Sequence, residues 1–424
     1  MLTATVGINW GDEGKGRMVD LLSEDYDIVI RYQGGNNAGH TVVNAKGKFI
    51  LNLLPSGILR DNVTNVMGPG MVIDLEHLAG EIRRLQEQGI VISPEHLKIS
   101  SRAVICMPYH RLLDNLEEDR LQDAKFGSTR RGIGPVYGDK YMKKTLRMGD
   151  LLEMDETARR LPGLIEWKNL TVARGYGHTP VQPQDMLAWL EQYGGPLRPY
   201  ICDTTAYLEQ AVAAGKRLLF EAQLGALRDV DYGIIPYTSS SSTLAAYAPL
   251  GAGIPGRKLD FTLGILKAYS SCVGEGPFTV EMSGAEADAL RQAGGEYGAA
   301  TGRPRRVGAF DCVASRYGVL LQGADRLALT KLDVLSYMDR IPVCVAYEID
   351  GRRVESFPMG AALQRAKPIY QYLPGFCQDI SHCRRAEDLP AAALAYIRFI
   401  EKAVNCPIQY VSVGEHREDY LILS

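Results

Sequence analysis

The chain is poor in the features that mark special compartments or chemistries. No apolar run approaches the roughly 18 residues that a membrane span needs, so no transmembrane helix is expected. The N-terminus MLTATVGINWGDEGKG lacks a basic segment followed by an apolar one, so no secretory signal is expected. Eight cysteines are scattered without a CxxC pair, and Cys377 and Cys383 flank His382 without the paired spacing of zinc sites. Scattered thiols suit a reducing, cytoplasmic setting. An excess of one charge is missing too. Lys plus Arg number 47 against 50 for Asp plus Glu, a net charge of −3, which excludes a global pull toward nucleic acid or anionic lipid. There is no linker, charge run or internal repeat, and no low-complexity tract beyond Ser239 to Ser242. What is abundant is glycine, 44 of 424 residues, above the roughly 7% of ordinary usage. Length alone predicts about three domains and a core that needs no disulfides.

Hydrophobic patterning supplies the architecture. Residues 2 to 8 (LTATVGI) read as a buried strand, 15 to 23 as a helix, and 27 to 32 (DIVIRY) as a second strand. Leu75, Leu78, Ile82 and Leu85 recur at spacings of three and four, predicting a helix over 75–88 with Asp74 as its N-cap and Gly89 after its end. Further strands are expected at 217–220, 326–329, 342–349 and 408–413, and further helices at 183–193, 312–321 and 390–404. This alternation predicts an α/β fold with a mostly parallel central sheet and flanking helices. Residues 150–215 read as mostly helical, either a sub-domain or an insertion packed on the sheet.

Two glycine loops carry the chemistry. Gly11-Asp12-Glu13-Gly14-Lys15-Gly16 lies between the first strand and the first helix. Glycines let backbone N–H groups approach a phosphate, the helix N-terminus adds partial positive charge, and Lys15 adds a point charge. The pattern is not a Walker A motif, which needs GxxxxGK[ST]. Two carboxylates inside an anion loop fit magnesium ligation or proton abstraction, and otherwise a tight turn with solvated charges. The second strand leads into Gln33-Gly34-Gly35-Asn36-Asn37-Ala38-Gly39-His40-Thr41. Loops after neighbouring parallel strands meet at one sheet edge, so His40 is a candidate acid or oxyanion donor facing the first loop. The basic run Arg303-Pro304-Arg305-Arg306 suits a dicarboxylate, or else a solvated surface loop.

These motifs, in this order, resemble the adenylosuccinate synthetase family, whose members join IMP and L-aspartate at the expense of GTP. The resemblance runs from about residue 3 to 423 and includes Ser128 to Pro135, Phe220 to Gln223, Ile235 to Ser240, Leu263 to Ser270, Val273 to Phe278, Ala300 to Arg306 and Thr330 to Val334. It implies a P-loop-NTPase-like α/β fold. It implies Asp12 as the base for N1 of IMP, His40 as the stabiliser of O6 and the transferring phosphoryl group, and Lys15 as a charge neutraliser. It places IMP on Asn37, Ala38, Thr129, Lys143, Gln223, Ser239 and Arg303. GTP falls on Gly11 to Gly16, Gly39, Thr41, Arg305, Lys331, Leu332, Asp333, Ser412, Val413 and Gly414. Aspartate falls on Ala300, Thr301, Gly302, Arg303 and Arg305. One magnesium ion per subunit would sit on Asp12 and the carbonyl of Gly39. A 6-phosphoryl-IMP intermediate is implied, and a homodimer in which Lys143 reaches the partner's IMP site.

Several positions depart from the family's usual residues. Lys143 stands for an arginine and loses its bidentate fork. Leu224 stands for a glutamine, with Gln223 one place early. Ser239 and Ala300 stand for threonines, Pro304 for an arginine and Arg130 for a glycine. The changes surround IMP and aspartate and spare Asp12, Lys15, His40 and Asp333. They leave open a paralogue acting on another purine nucleotide or amine, and a GTP-binding regulatory protein is a third reading. Implied ligand loops run from Gly11 to Gly414, which favours one large domain over three.

Overall fold

The computed structural model describes residues 1–44, 47–298, 302, 304–416 and 418–423. Its centre is a ten-stranded sheet whose strands alternate with helices along much of the chain. In chain order, β1 (Leu2–Gly7) leads to α1 (Lys15–Leu22) and β2 (Ile28–Arg31). A hairpin, β3 (His40–Asn44) and β4 (Gly47–Leu51), precedes β5 (Thr64–Met67), α2 (Leu75–Glu87) and β6 (Leu97–Ser100). The helices α3 (Pro108–Leu121), α4 (Ile133–Tyr141), α5 (Met154–Asn169) and α6 (Pro183–Gly194) follow. Then come β7 (Ile201–Cys202), α7 (Thr204–Ala213), β8 (Leu218–Glu221), β9 (Phe261–Lys267) and α8 (Gly284–Gly294). The chain finishes with α9 (Cys312–Gln322), β10 (Arg326–Thr330), β11 (Arg340–Ile349), β12 (Lys367–Pro374), α10 (Ala391–Val404), β13 (Ile408–Ser412) and β14 (Tyr420–Ile422).

The sheet order is β14-β13-β10-β9-β1-β8-β2-β5-β6-β7, and every pair is parallel except the edge pair β13–β14. Central strands are buried on both faces, which explains why β1, β2 and β8 read as continuous apolar runs. The order corrects one expectation. β1 and β2 are not neighbours, because β8 lies between them and pairs with both. Strand 342–349 is real but belongs elsewhere: β11 pairs antiparallel with β12 in a second, smaller sheet. Period-2 patterning marks a strand without saying which sheet will take it.

The core packs on both sides of the sheet. One large apolar cluster gathers α9 and α10 against β9, β10 and β13, through Leu266, Leu329, Tyr396, Ile400 and Val411. A second joins α2 and β6 to the 150–215 segment, through Leu78, Ile82, Ile99, Leu161, Ile165 and Leu190. Asp74 caps α2, accepting from the His77 N–H at 3.2 Å. Because the strands are parallel, the loops after β1, β2, β8, β9, β10 and β13 all leave the same edge, where α/β sheets bind ligands.

Candidate active site

The first glycine loop is built around a buried carboxylate. Glu13 points into the loop and accepts from the N–H groups of Asn9 (3.1 Å) and Gly11 (2.8 Å) and from Lys15 Nζ (2.7 Å). Glu13 and Lys15 are each only 3% exposed, so neither is a solvated charge. Close packing explains the flanking glycines. A Cβ on Gly7 would meet Glu13 Oε2 at 2.6 Å, and one on Gly225 would meet Glu13 Oε1 at 2.6 Å. Gly14 caps α1 with φ 96°, a conformation that favours glycine. Asp12 turns the other way, with left-handed backbone (φ 58°) and a half-exposed side chain 3.1 Å from the Arg305 guanidinium. The two adjacent acids therefore do different work: Glu13 organises the loop and Asp12 faces the site.

The second loop ends in a strand. His40 is the first residue of β3, whereas the sequence placed it within a loop. A Cβ on Gly16 would lie 2.6 Å from His40 Cβ, so the glycine after Lys15 is what lets the histidine lie against α1. His40 Nδ1 pairs with Glu221, the last residue of β8. Glu221 also accepts from the Ser56 N–H and hydroxyl, each at 2.7 Å. Burial opposes ionisation of Glu221, but His40, Arg31 and the Ser56 amide together outweigh it and hold the carboxyl below its usual range. Burial pushes His40 below the usual imidazole range, with Glu221 opposing. Glu221 is the functional residue that sequence reasoning passed over. Its signal was the FEAQ motif, but only the strand order seats β8 beside β2.

A hydrogen-bond network beside the second loop converges on two glutamines. Gln223 Nε2 donates to the Gly35 carbonyl at 2.9 Å, and the main-chain carbonyl of Gln223 accepts from Gln33 Nε2 at 2.8 Å. Gln33 Oε1 accepts from the Ser241 hydroxyl, which lies 3.4 Å from that of Ser239. Gln223 Oε1 is buried without a partner. Leu224 takes left-handed backbone (φ 61°) and packs against Gly11. Asn37 accepts from the Gly35 N–H at 3.2 Å, and the Ala38 carbonyl accepts from Asn52 at 3.1 Å. Thr129 and Gly39 are exposed, as is Thr41 on β3. Lys143 is exposed and makes no side-chain hydrogen bond or ion pair with any described residue, so it does not join the site of its own chain.

The loops after β10 and β13 are tied together. The Leu332 N–H donates to the Ser412 carbonyl at 3.1 Å, and that of Lys331 to the Ser412 hydroxyl at 3.4 Å. Arg17 of α1 donates to Ser412 Oγ (2.9 Å) and the Gly414 carbonyl (2.7 Å). Val413 is buried beside them. The Thr330 hydroxyl donates to the Glu13 carbonyl at 2.7 Å and fastens this region to the first loop. Asp333 Oδ1 is buried without a partner, and burial raises the Asp333 carboxyl above its usual range. Of the expected aspartate residues, Ala300, Thr301 and Arg303 lie outside the described residues. Gly302 is exposed and Arg305 bridges Asp12 and Glu296. Among the described residues, no three His, Cys, Asp or Glu side chains gather to hold an ion by themselves.

A glycine loop with a buried lysine, a half-exposed carboxylate, a carboxylate-held histidine and a separate edge bearing an unpartnered buried carboxylate oxygen fit a nucleotide-dependent phosphoryl-transfer enzyme. The family model described as adenylosuccinate synthetase matches residues 4–421, and the chain belongs to that family. It is 44% identical over 419 residues to the adenylosuccinate synthetase of Thermosynechococcus vestitus, covering 99% of this chain and 93% of the relative. That of Pelobacter propionicus is 43% identical over 421 residues, covering 99% and 98%. The fold is similar to the fully ligated adenylosuccinate synthetase of Plasmodium falciparum, with TM-score 0.92, 33% identity and complete coverage of both chains. A cyanophage S-2L succinoaminodeoxyadenylate synthetase, solved with dGMP and dATP, shares the fold at TM-score 0.61 and 18% identity, covering 99% of this chain and 94% of that one.

Proposed function

We propose that the chain ligates L-aspartate to IMP with GTP, giving adenylosuccinate, GDP and phosphate, with the residues in the following roles. The carrying observation is the buried His40–Glu221 pair packed against Gly16 at the start of α1, beside a glycine loop that folds Glu13 inward and leaves Asp12 outward. Asp12 takes the N1 proton of IMP, and O6 then attacks the γ-phosphorus while the bond to the GDP oxygen breaks. His40, oriented by Glu221, stabilises O6 and the transferring group; Glu221 sustains positive charge on the ring once an anion fills the site. Lys15 exchanges Glu13 for phosphate oxygens. The aspartate amine then attacks C6 and expels phosphate.

Asp333 accepts from the N1 and N2 donors of guanine, a pair that adenine lacks, so its unpartnered oxygen supports GTP over ATP. Magnesium is proposed on Asp12 and the carbonyl of Gly39. A half-exposed Asp12 and an exposed Gly39 form the sparse donor set of an ion held mostly by phosphates. Bound there, it would neutralise phosphate charge. Lys143, which follows the exposed Tyr141 and Met142, is proposed to reach the IMP phosphate of a second subunit. The chain is read as one large domain because its ligand loops span Gly11 to Gly414. A cytoplasmic setting is proposed from the eight unpaired cysteines; no helix among the described residues is long and apolar enough to cross a membrane.

The paralogue reading stays testable. Identities of 43–44% to adenylosuccinate synthetases favour IMP and aspartate as substrates. The decisive assay follows phosphate release from GTP with IMP, dGMP and other purine monophosphates, each with and without aspartate. Release that needs both IMP and aspartate is expected. Release with a different monophosphate alone overturns the substrate assignment.

A further inference from the structure

The carboxylate of Glu296 is fully buried and gathers three cations. Its Oε2 lies 3.0 Å from Arg305, and its Oε1 lies 2.8 Å from Lys267 and 3.0 Å from Lys331 and also accepts from the Tyr269 hydroxyl. Each partner belongs to a different part of the site. Lys267 ends β9, Lys331 follows β10 in the guanine-reading segment, and Arg305 reaches on to Asp12 in the glycine loop. Glu296 also forms the neck of the segment proposed to bind aspartate. Its carbonyl accepts from the Arg305 N–H at 2.9 Å, and Tyr297 and Pro304 pair just inside that closure. Three cations around one carboxylate leave a surplus of positive charge. Lys267 is buried and stays in place only while paired; Arg305 and Lys331 are part-exposed and hold further partners in Asp12 and the Gly294 carbonyl, and the one carboxylate they share with Lys267 fixes how they point.

We propose that Glu296 is a positioning residue that couples the aspartate segment to the GTP site, holding Arg305 and Lys331 where one faces the dicarboxylate and the other the nucleotide. This rests on the ligase reading above. Without the negative charge, Arg305 and Lys331 lose their shared anchor and repel each other through Lys267. A purely stabilising ion cluster would instead change melting temperature and leave substrate affinities alone.

The test compares full-length wild type, Glu296→Gln and Glu296→Asp by steady-state kinetics with each substrate varied, and by calorimetric titration with GTP alone. Circular dichroism checks folding. Glu296→Asp keeps the charge on a shorter arm, so it supplies a folded variant should Glu296→Gln not fold. The expected result is an aspartate KM raised about tenfold or more in Glu296→Gln and less in Glu296→Asp, as loss of a buried charged hydrogen bond implies. GTP binding should weaken about threefold or more, with the IMP KM within about twofold of wild type. A folded variant whose aspartate KM, GTP KM and GTP Kd all stay within about twofold of wild type overturns the proposal. Absence of aspartate-dependent turnover in the wild type would instead count against the ligase reading. The GTP titration still decides the role of Glu296 in that case.

Discussion

The glycine-loop side of the site, proposed for phosphate, and the side proposed for the base hold their polar groups in opposite ways. On the phosphate side the charges already have partners: Lys15 on Glu13, His40 on Glu221, Arg305 on Asp12 and Glu296. On the base side, two polar atoms of the short helical turn Asp333–Tyr337 are buried without a partner: Oδ1 of Asp333 and the hydroxyl of Ser336. An unpaired buried cation costs several kcal/mol, so the fold supplies counter-ions that a phosphate can displace. A single unsatisfied acceptor costs about 1–3 kcal/mol, small enough to be borne until a ligand arrives. Anion binding is therefore an exchange of partners with modest net gain. Base binding removes a standing penalty, and that difference falls only to a base with matching donors.

The strongest challenge to this contrast is to delete the reacting groups. Asp12→Ala and His40→Ala should each lower kcat by about 10²–10⁴-fold, the usual worth of a positioned acid or base. Near-wild-type turnover in either folded variant would mean that the deleted group does not belong to the reaction centre. Next in size, Glu221→Gln should cost about 10–100-fold in kcat, because His40 keeps a neighbour but loses its counter-charge. The GTP KM should barely move, and a change confined to that KM would place Glu221 on the wrong side of the comparison.

Asp333→Asn probes the base side. Replacing one acceptor oxygen with a donor should raise the GTP KM by about tenfold or more and narrow the preference over ATP, with kcat little changed. An unchanged GTP-to-ATP ratio would remove Asp333 from base reading. The smallest effect is on stability. Burial holds His40 and His110 below the usual imidazole range, with Glu221 and Asp139 opposing. The unfolded chain then binds more protons than the folded one as pH falls below about 6.5, so this contribution is present above that value and lost on acidification. Melting temperature measured from pH 8 to pH 5 should fall on the acid side. A rise would mean the imidazoles are charged when folded.

Much of the fold could be read along the chain. Leu75, Leu78, Ile82 and Leu85 announce α2, and the apolar β1, β2 and β8 announce buried parallel strands, because period and length are local properties. The order of strands is not local. Seating β8 between β1 and β2 decides that Glu221 meets His40, a pairing of residues 181 apart. The separation of duties between Asp12 and Glu13 was equally hidden, since two adjacent acids look alike until one side chain is folded inward. Glu296 was hidden for the same reason, its cations arriving from three separate segments of the chain.

The sequence by itself determined the chemistry: glycines where backbone nears phosphate, Asp12, Lys15 and His40 in order, and Asp333 toward the far end. Those are residue types within short local motifs, whose internal spacing covalent connectivity enforces. Only the tertiary structure decided which charges neutralise one another. Ion pairing in a buried site depends on distances across the carboxyl edge of the sheet, and strand order sets them. The glycine excess belongs to both levels. Gly16 is visible as part of a loop motif, yet the reason it must be glycine is the Cβ of His40 lying against it.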